Sequence, residues 1–185
     1  MQGFNVNKIK TLNAALYVLN HLGEADCHKT FKILYFADQA HLKTYGRPIT
    51  GDAYQAMNFG PVPSFLYDIF KAAEKGSHPL QEAMEVSHSF SIRREAGVPI
   101  VTPTKDADVD ELAESEINVL NKSLTENEGL NFEQLVTKSH DHAWIEACEN
   151  VDIEMSYLNI AKAAGTSDDM LSYITLNAEN DQKIY

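Results

Sequence analysis

Residues 44–63, TYGRPITGDAYQAMNFGPVP, hold six backbone breakers within twenty positions: Gly46, Pro48, Gly51, Gly60, Pro61 and Pro63. No helix runs through such a stretch, because proline lacks an amide donor and clashes with the preceding turn, while glycine adds backbone entropy. On both sides of it the apolar spacing is helical. The chain must therefore pass from one helical layer to the next through a stiff, structured connector. The class this implies is mainly α: one compact domain of about six or seven helices, residues 1–165, with a C-terminal extension over 166–185.

Upstream, Ile9, Leu12, Ala15, Leu16, Leu19 and Leu22 recur at helical spacing, with Asn5 or Asn7 as cap and Gly23 as stop. Asp26 caps a second helix reaching about Lys43, with the stripe Phe31, Leu34, Tyr35, Asp38 and Leu42. The short link predicts an antiparallel pair. Downstream of the connector, in which Tyr54–Met57 has strand character, a helix is expected from Pro63 or Ser64 to Lys75, with Phe65, Leu66, Ile69 and Phe70 inward. Pro63 suits the first helical position, where no donor is needed.

The period changes to two at residues 85–103. Val86, His88, Phe90 and Ile92 alternate with polar residues, and a second run, Val98-Pro-Ile-Val-Thr, follows Gly97. This predicts an antiparallel β-hairpin, with Pro99 and Pro103 placing its second strand at an edge. Two strands alone are marginal, so the hairpin must pack on helices or gain a third short strand. Ile117, Leu120 and Leu124 mark a further helix; Asn131 and Gln134 have capping-box spacing for another. Leu158, Ile160, Ala161 and Ala164 form a short helix closed by Gly165. Asp168–Ile174 adds a last turn, and the polar tail NAENDQKIY is expected to fray.

Charge narrows the partners. The formal net charge is −12, and residues 106–154 account for it, with 14 acidic residues against Lys122 and Lys138. Binding to nucleic acid rests on phosphate neutralisation, so this balance speaks against it and for a basic partner or a solvated helical face. No run reaches the roughly 18 apolar residues of a membrane span, and MQGFNVNKIK lacks a secretory core, which predicts a cytoplasmic protein. Cys27 and Cys148 fit neither a metal site nor a disulfide framework.

No catalytic signature is present: no GxSxG, P-loop, GxGxxG or HExxH. The reading is non-enzymatic, with no metal and no cofactor. His140 and His142, two apart, diverge if helical. Cys27 and His28 diverge too, so Cys27 reads as a packed small side chain. Asp38 interrupts an apolar stripe, and a carboxylate so placed needs donors. It is expected to clamp hydroxyl or backbone donors of the 44–63 connector. An enzymatic reading can name only Asp38, His41 and Tyr45. Trp144 is expected to bury its ring and give its indole N–H an acceptor.

Residues 33–70, ILYFADQAHLKTYGRPITGDAYQAMNFGPVPSFLYDIF, resemble the signature of the Panacea domain, the family of SocA-like antitoxins also described as phage-associated. The matching positions include Tyr35, Asp38, His41, Tyr45, Gly46, Thr50, Gly51, Tyr54, Gly60, Pro61, Val62 and Pro63. ELAESEINVLNKSL and LVTKSHDHAW, with His140 and Trp144, are similar as well, so the likeness spans about residues 8–165. Ala113 departs from it, since relatives often place serine there; Asp110 or Ser115 is expected to take over that cap. The resemblance implies an antitoxin of a type II-like toxin–antitoxin system that neutralises a cognate protein toxin, encoded beside it, by direct contact. The alternatives it implies are an adaptor delivering a partner to a Clp-type protease, or a prophage regulatory interaction protein. Arg93, Arg94 and Glu95, at the predicted hairpin tip, are the candidate partner contacts.

Overall fold

The computed structural model describes residues 3–150 and 153–183. Helix α1 (Lys8–Leu22) is capped by Asn7, which accepts from Lys10 N, and α2 (Cys27–Tyr45) by Asp26, which accepts from Lys29 N. Between them lies the two-residue strand β1 (Ala25–Asp26). Every residue from Thr30 to Asp38 is buried, Lys32 included. Burial on every side over this stretch puts the helix in the interior, and α2 is the axis of the fold.

The connector is a hairpin rather than a loop with one strand. β2 (Tyr54–Met57) pairs antiparallel with β3 (Gly60–Pro63), so the prolines lie within a strand that ends at Pro63. Residues 153–155 extend this pair: Ala56 N donates to Ile153 O and Met155 N to Tyr54 O, both 2.8 Å. Helix α3 (Ser64–Lys75) starts one residue after Pro63, which is its cap and not its first turn.

The predicted hairpin at 85–103 is shorter. Residues Gln81–Ser87 form helix α4, whose Ala83 is buried, and the strands are β4 (Phe90–Glu95) and β5 (Val98–Pro103). Leu80, Ala83, Met84 and Ser87 already have helical spacing, which the alternation from Val86 onward masks. The turn has positive φ at Ala96 (47°) and Gly97 (87°), as a two-residue hairpin turn with primed geometry requires. β5 is central, not an edge: the order is β1-β5-β4. The prolines are tolerated because β1 meets β5 only at Ile100 and Val101, between Pro99 and Pro103.

A 3-10 turn (Val109–Glu111) leads to α5 (Glu114–Asn127), followed by α6 (Phe132–Ser139), α7 (His142–Cys148), α8 (Tyr157–Ala163) and α9 (Asp168–Asp181). That makes nine helices among the described residues, more than the six or seven expected. The surplus is α4, plus a break at His140 that divides α6 from α7. The Ala113 cap has not moved: Ala113 remains the cap residue, and Glu116 reaches back to accept from its N–H at 2.8 Å.

One apolar cluster joins α1, α3, α5 and the three-stranded sheet to one side of α2; a second joins β2 and α6–α9 to the other. The tail, expected to fray from Asn177, is helical as far as Asp181; Ile184 and Tyr185 lie outside the described residues. α9 continues to Asp181 because Ile174 and Ala178 are buried, and Asp181 Oδ2 accepts from Asn5 N at 2.6 Å. Among the described residues, no helix is long and apolar enough to cross a membrane.

Candidate functional site

Asp38, on the inward face of α2, organises the motif. Its Oδ1 accepts from Ile49 N (2.6 Å) and Thr50 N (3.1 Å); its Oδ2 accepts from Thr50 Oγ1 (2.6 Å) and Tyr54 Oη (2.9 Å). Burial pushes its pKa above the usual carboxylate range, against these four donors, which favour the charged form. Burial likewise raises the Tyr54 phenol well above its ordinary value.

A second buried carboxylate continues the clamp. Asp52 accepts from Phe65 N (2.9 Å) and Leu66 N (3.0 Å), capping α3 from outside the helix, and Tyr157 Oη donates to its carbonyl. Burial pushes the Asp52 carboxyl up to about 7. Glu116 is also buried. Lys10 Nζ and Arg47 Nη1 both reach its Oε1 at 2.6 Å, and against the upward push of burial these hydrogen bonds hold its pKa below the usual range.

The other motif residues fall around this frame. His41 Nδ1 donates to Arg47 O (2.7 Å), which leaves Nε2 to accept from Ser115 Oγ (3.2 Å). Tyr45 is exposed, its ring centroid 4.6 Å from that of His41. Gly46 ends α2 in the left-handed region, and a Cβ there would strike the Tyr173 ring of α9. Tyr35 Oη donates to Asp141 Oδ2 at 2.7 Å, while Asp141 Oδ1 caps α7 through Trp144 N. Of the three residues an enzymatic reading can name, Asp38 and His41 have their polar atoms directed at partners within the chain, and Tyr45 is exposed.

Lys32, Asp52, Glu116 and Asp141 were not singled out from sequence. For Lys32 the signal was present: it sits in the seven-residue run FKILYFA, and a lone cation inside so apolar a run has no solvent face.

Lys32 lies beneath the β2–β3 hairpin and donates to Pro61 O at 2.8 Å. Burial depresses its pKa from 10.5 to about 7. The unfolded chain then holds more protons than the folded one from pH 7 upward, so stability rises with pH. Above pH 9 the effect is opposed by Cys27, whose thiol burial, Asp26 and Glu74 push up to about 12. The urea midpoint should therefore be higher at pH 9 than at pH 7, and Lys32→Met should flatten that slope.

Around Lys32 the hairpin tip is tied on both flanks. His28 Nε2 donates to Phe59 O (3.0 Å), and Trp144 Nε1 donates to Met57 O (2.9 Å). His140 and Trp144 stack with centroids 3.6 Å apart, although α6 and α7 break between them. Phe132 lies 4.3 Å from the His28 ring and 5.4 Å from the Phe59 ring. Outside, this leaves an aromatic face: Phe59 is 59% exposed, Phe132 47% and Met57 42%.

The predicted contacts Arg93, Arg94 and Glu95 belong to a different element, the β4–β5 tip, and are paired within the chain. Arg93 makes two 2.9 Å contacts to Glu24 and one of 2.8 Å to Glu95; Arg94 pairs with Glu74 at 2.6 Å. Neither the aromatic face nor these pairs join His142, which neighbours Glu146 at 3.8 Å. Among the described residues, no group of three or more His, Cys, Asp or Glu is placed to hold a metal.

A family model described as antitoxin SocA-like, Panacea domain, matches residues 31–145. The match covers α2 from Phe31 onward, both hairpins and α3 to α7 as far as Ile145. No curated protein and no solved structure matches the chain.

Proposed function

The chain belongs to the SocA-like Panacea domain family, and from that membership we propose that it is a non-enzymatic antitoxin, which neutralises a protein toxin by direct contact. The observation that carries the reading is the extent of the family match, residues 31–145, which includes the whole Asp38 clamp. The site chemistry agrees with it. The buried acids of the motif face backbone amides, hydroxyls and cations of the same chain, an arrangement that holds a loop in place. Among what the motif offers to solvent are Met57 and Phe59 at the hairpin tip, exposed apolar side chains of the kind that protein partners cover.

The test is co-expression. The product of the adjacent reading frame, expressed alone, should arrest growth, and expression of this chain should restore it. An equal rescue in cells lacking Clp proteases fits neutralisation by contact. A rescue that needs the protease and lowers the toxin level favours the adaptor. No rescue by the wild-type chain sinks the antitoxin reading.

A further inference from the structure

The aromatic face has three properties that set it apart from scattered surface apolar residues. It is compact: the Phe132 ring lies against both His28 and Phe59, and the Met57 backbone carbonyl, two residues before Phe59, accepts from half-buried Trp144. It is rigid, because the carbonyls of Met57 and Phe59 both accept side-chain hydrogen bonds, and Gly60, at φ 97°, packs on Lys32 and Ser139. A rigid face loses little conformational entropy on binding. It is also borne in part on an acidic stretch of chain, although Asp141 is engaged by Tyr35 and Gln39 and Lys29 reaches Glu128 O. The segment 126–149, which supplies Phe132 and Trp144, holds Glu126, Glu128, Glu133, Asp141, Glu146 and Glu149 against Lys138 alone. Lys138 is itself engaged, reaching Asn127 Oδ1 at 2.6 Å and lying over the Phe36 ring. The nearest buried cation, Lys32, directs its amine inward to Pro61 O.

Apolar anchors carried on an acidic segment, with exposed Glu133 next to Phe132, define the complementary shape: an apolar or aromatic side chain flanked by lysine or arginine. Aromatic residues at the centre of such a patch dominate binding energy, while charges at its rim steer association and make it sensitive to salt. We propose that the face formed by Met57, Phe59, Phe132 and Trp144 is where the toxin docks, through a segment with an apolar anchor and basic flanks. This rests on the antitoxin reading and adds to it the surface and the chemistry of the partner. It replaces the β4–β5 tip as the candidate contact, since Arg93 and Arg94 already have carboxylate partners.

The test uses the full chain and the purified toxin. Phe59→Ala/Phe132→Ala should weaken binding about 100-fold or more, because both rings are exposed anchors. Its melting temperature should match that of the wild type. Glu133→Lys should weaken binding without touching an apolar contact, and the loss should shrink as salt is raised. Arg93→Ala/Arg94→Ala should bind like the wild type. If the wild type binds the toxin and the Phe59/Phe132 variant binds within about threefold of it, the docking face is wrong while the antitoxin reading stands. If the wild type itself neither binds nor neutralises the toxin, both fall.

Discussion

Asp38→Ala should remove on the order of 4–8 kcal/mol of folding stability, because it orphans four donors at once and a buried unsatisfied group costs about 1–3 kcal/mol. Those donors are Ile49 N, Thr50 N, Thr50 Oγ1 and Tyr54 Oη, and Asp38, Thr50 and Tyr54 are all buried. Water cannot replace the lost acceptor without opening the interior. A loss of that size is comparable to the roughly 5–15 kcal/mol that holds a typical domain. The variant is therefore expected to be largely unfolded or to melt far below the wild type. Asp38→Asn is the graded control: it keeps the volume and one acceptor oxygen but turns an amide donor toward donors. It should fall between the two. Urea unfolding followed by circular dichroism checks both. An Asp38→Ala chain that keeps its midpoint yet fails to neutralise would contradict the clamp and return Asp38 to the role of a site residue.

Gly60→Val carries the second large effect. Gly60 has φ 97°, a region closed to β-branched side chains, and a Cβ there would strike Ser139 Oγ and lie 2.8 Å from Lys32 Cε. Backbone strain of about 1–3 kcal/mol adds to about 1–3 kcal/mol of overpacking. Three elements are pried apart together: β3, α2 and α6. The expected result is a loss of about 3–5 kcal/mol on these grounds, seen as a lower melting temperature. Gly97→Ala is the contrast. Its φ is 87°, but nothing lies within 4 Å of the added Cβ, so only the backbone term applies, roughly 1 kcal/mol. If the two substitutions cost the same, close packing at Gly60 is not what selects glycine there. Because Gly60 is buried, its variants report on folding and not on partner contact.

These two residues also mark how much was legible beforehand. Asp38 stood out because a carboxylate on an apolar stripe must find donors, and the nearest donors in sequence were those of the connector. The helix starts were legible for the same local reason: Asn7, Asp26 and Asn131 each accept the backbone N–H that their positions predict. What was not legible depends on distant partners. β3 looks like a proline-rich joint until β2 pairs with it, and β5 looks like an edge until two residues before α2 lie against it. Asp52 caps a helix that begins twelve residues later, outside any capping window. α9 looks polar, yet Ile174, with Met170 and Leu171 beside it, is enough to seat it on the second cluster. The docking face is the extreme case: Phe59 and Phe132 are far apart in sequence and share no pattern, and only the fold joins them.

Direct contact with the toxin is the central claim, and a binding experiment tests it without cells. The purified chain and the purified product of the adjacent reading frame, mixed in the absence of any protease or nucleotide, are predicted to co-elute as a stoichiometric complex and to show a saturable heat of binding, while toxin activity in vitro disappears. If the toxin stays fully active, the two elute apart, and protection in cells persists only while a Clp protease is present, neutralisation by contact is contradicted.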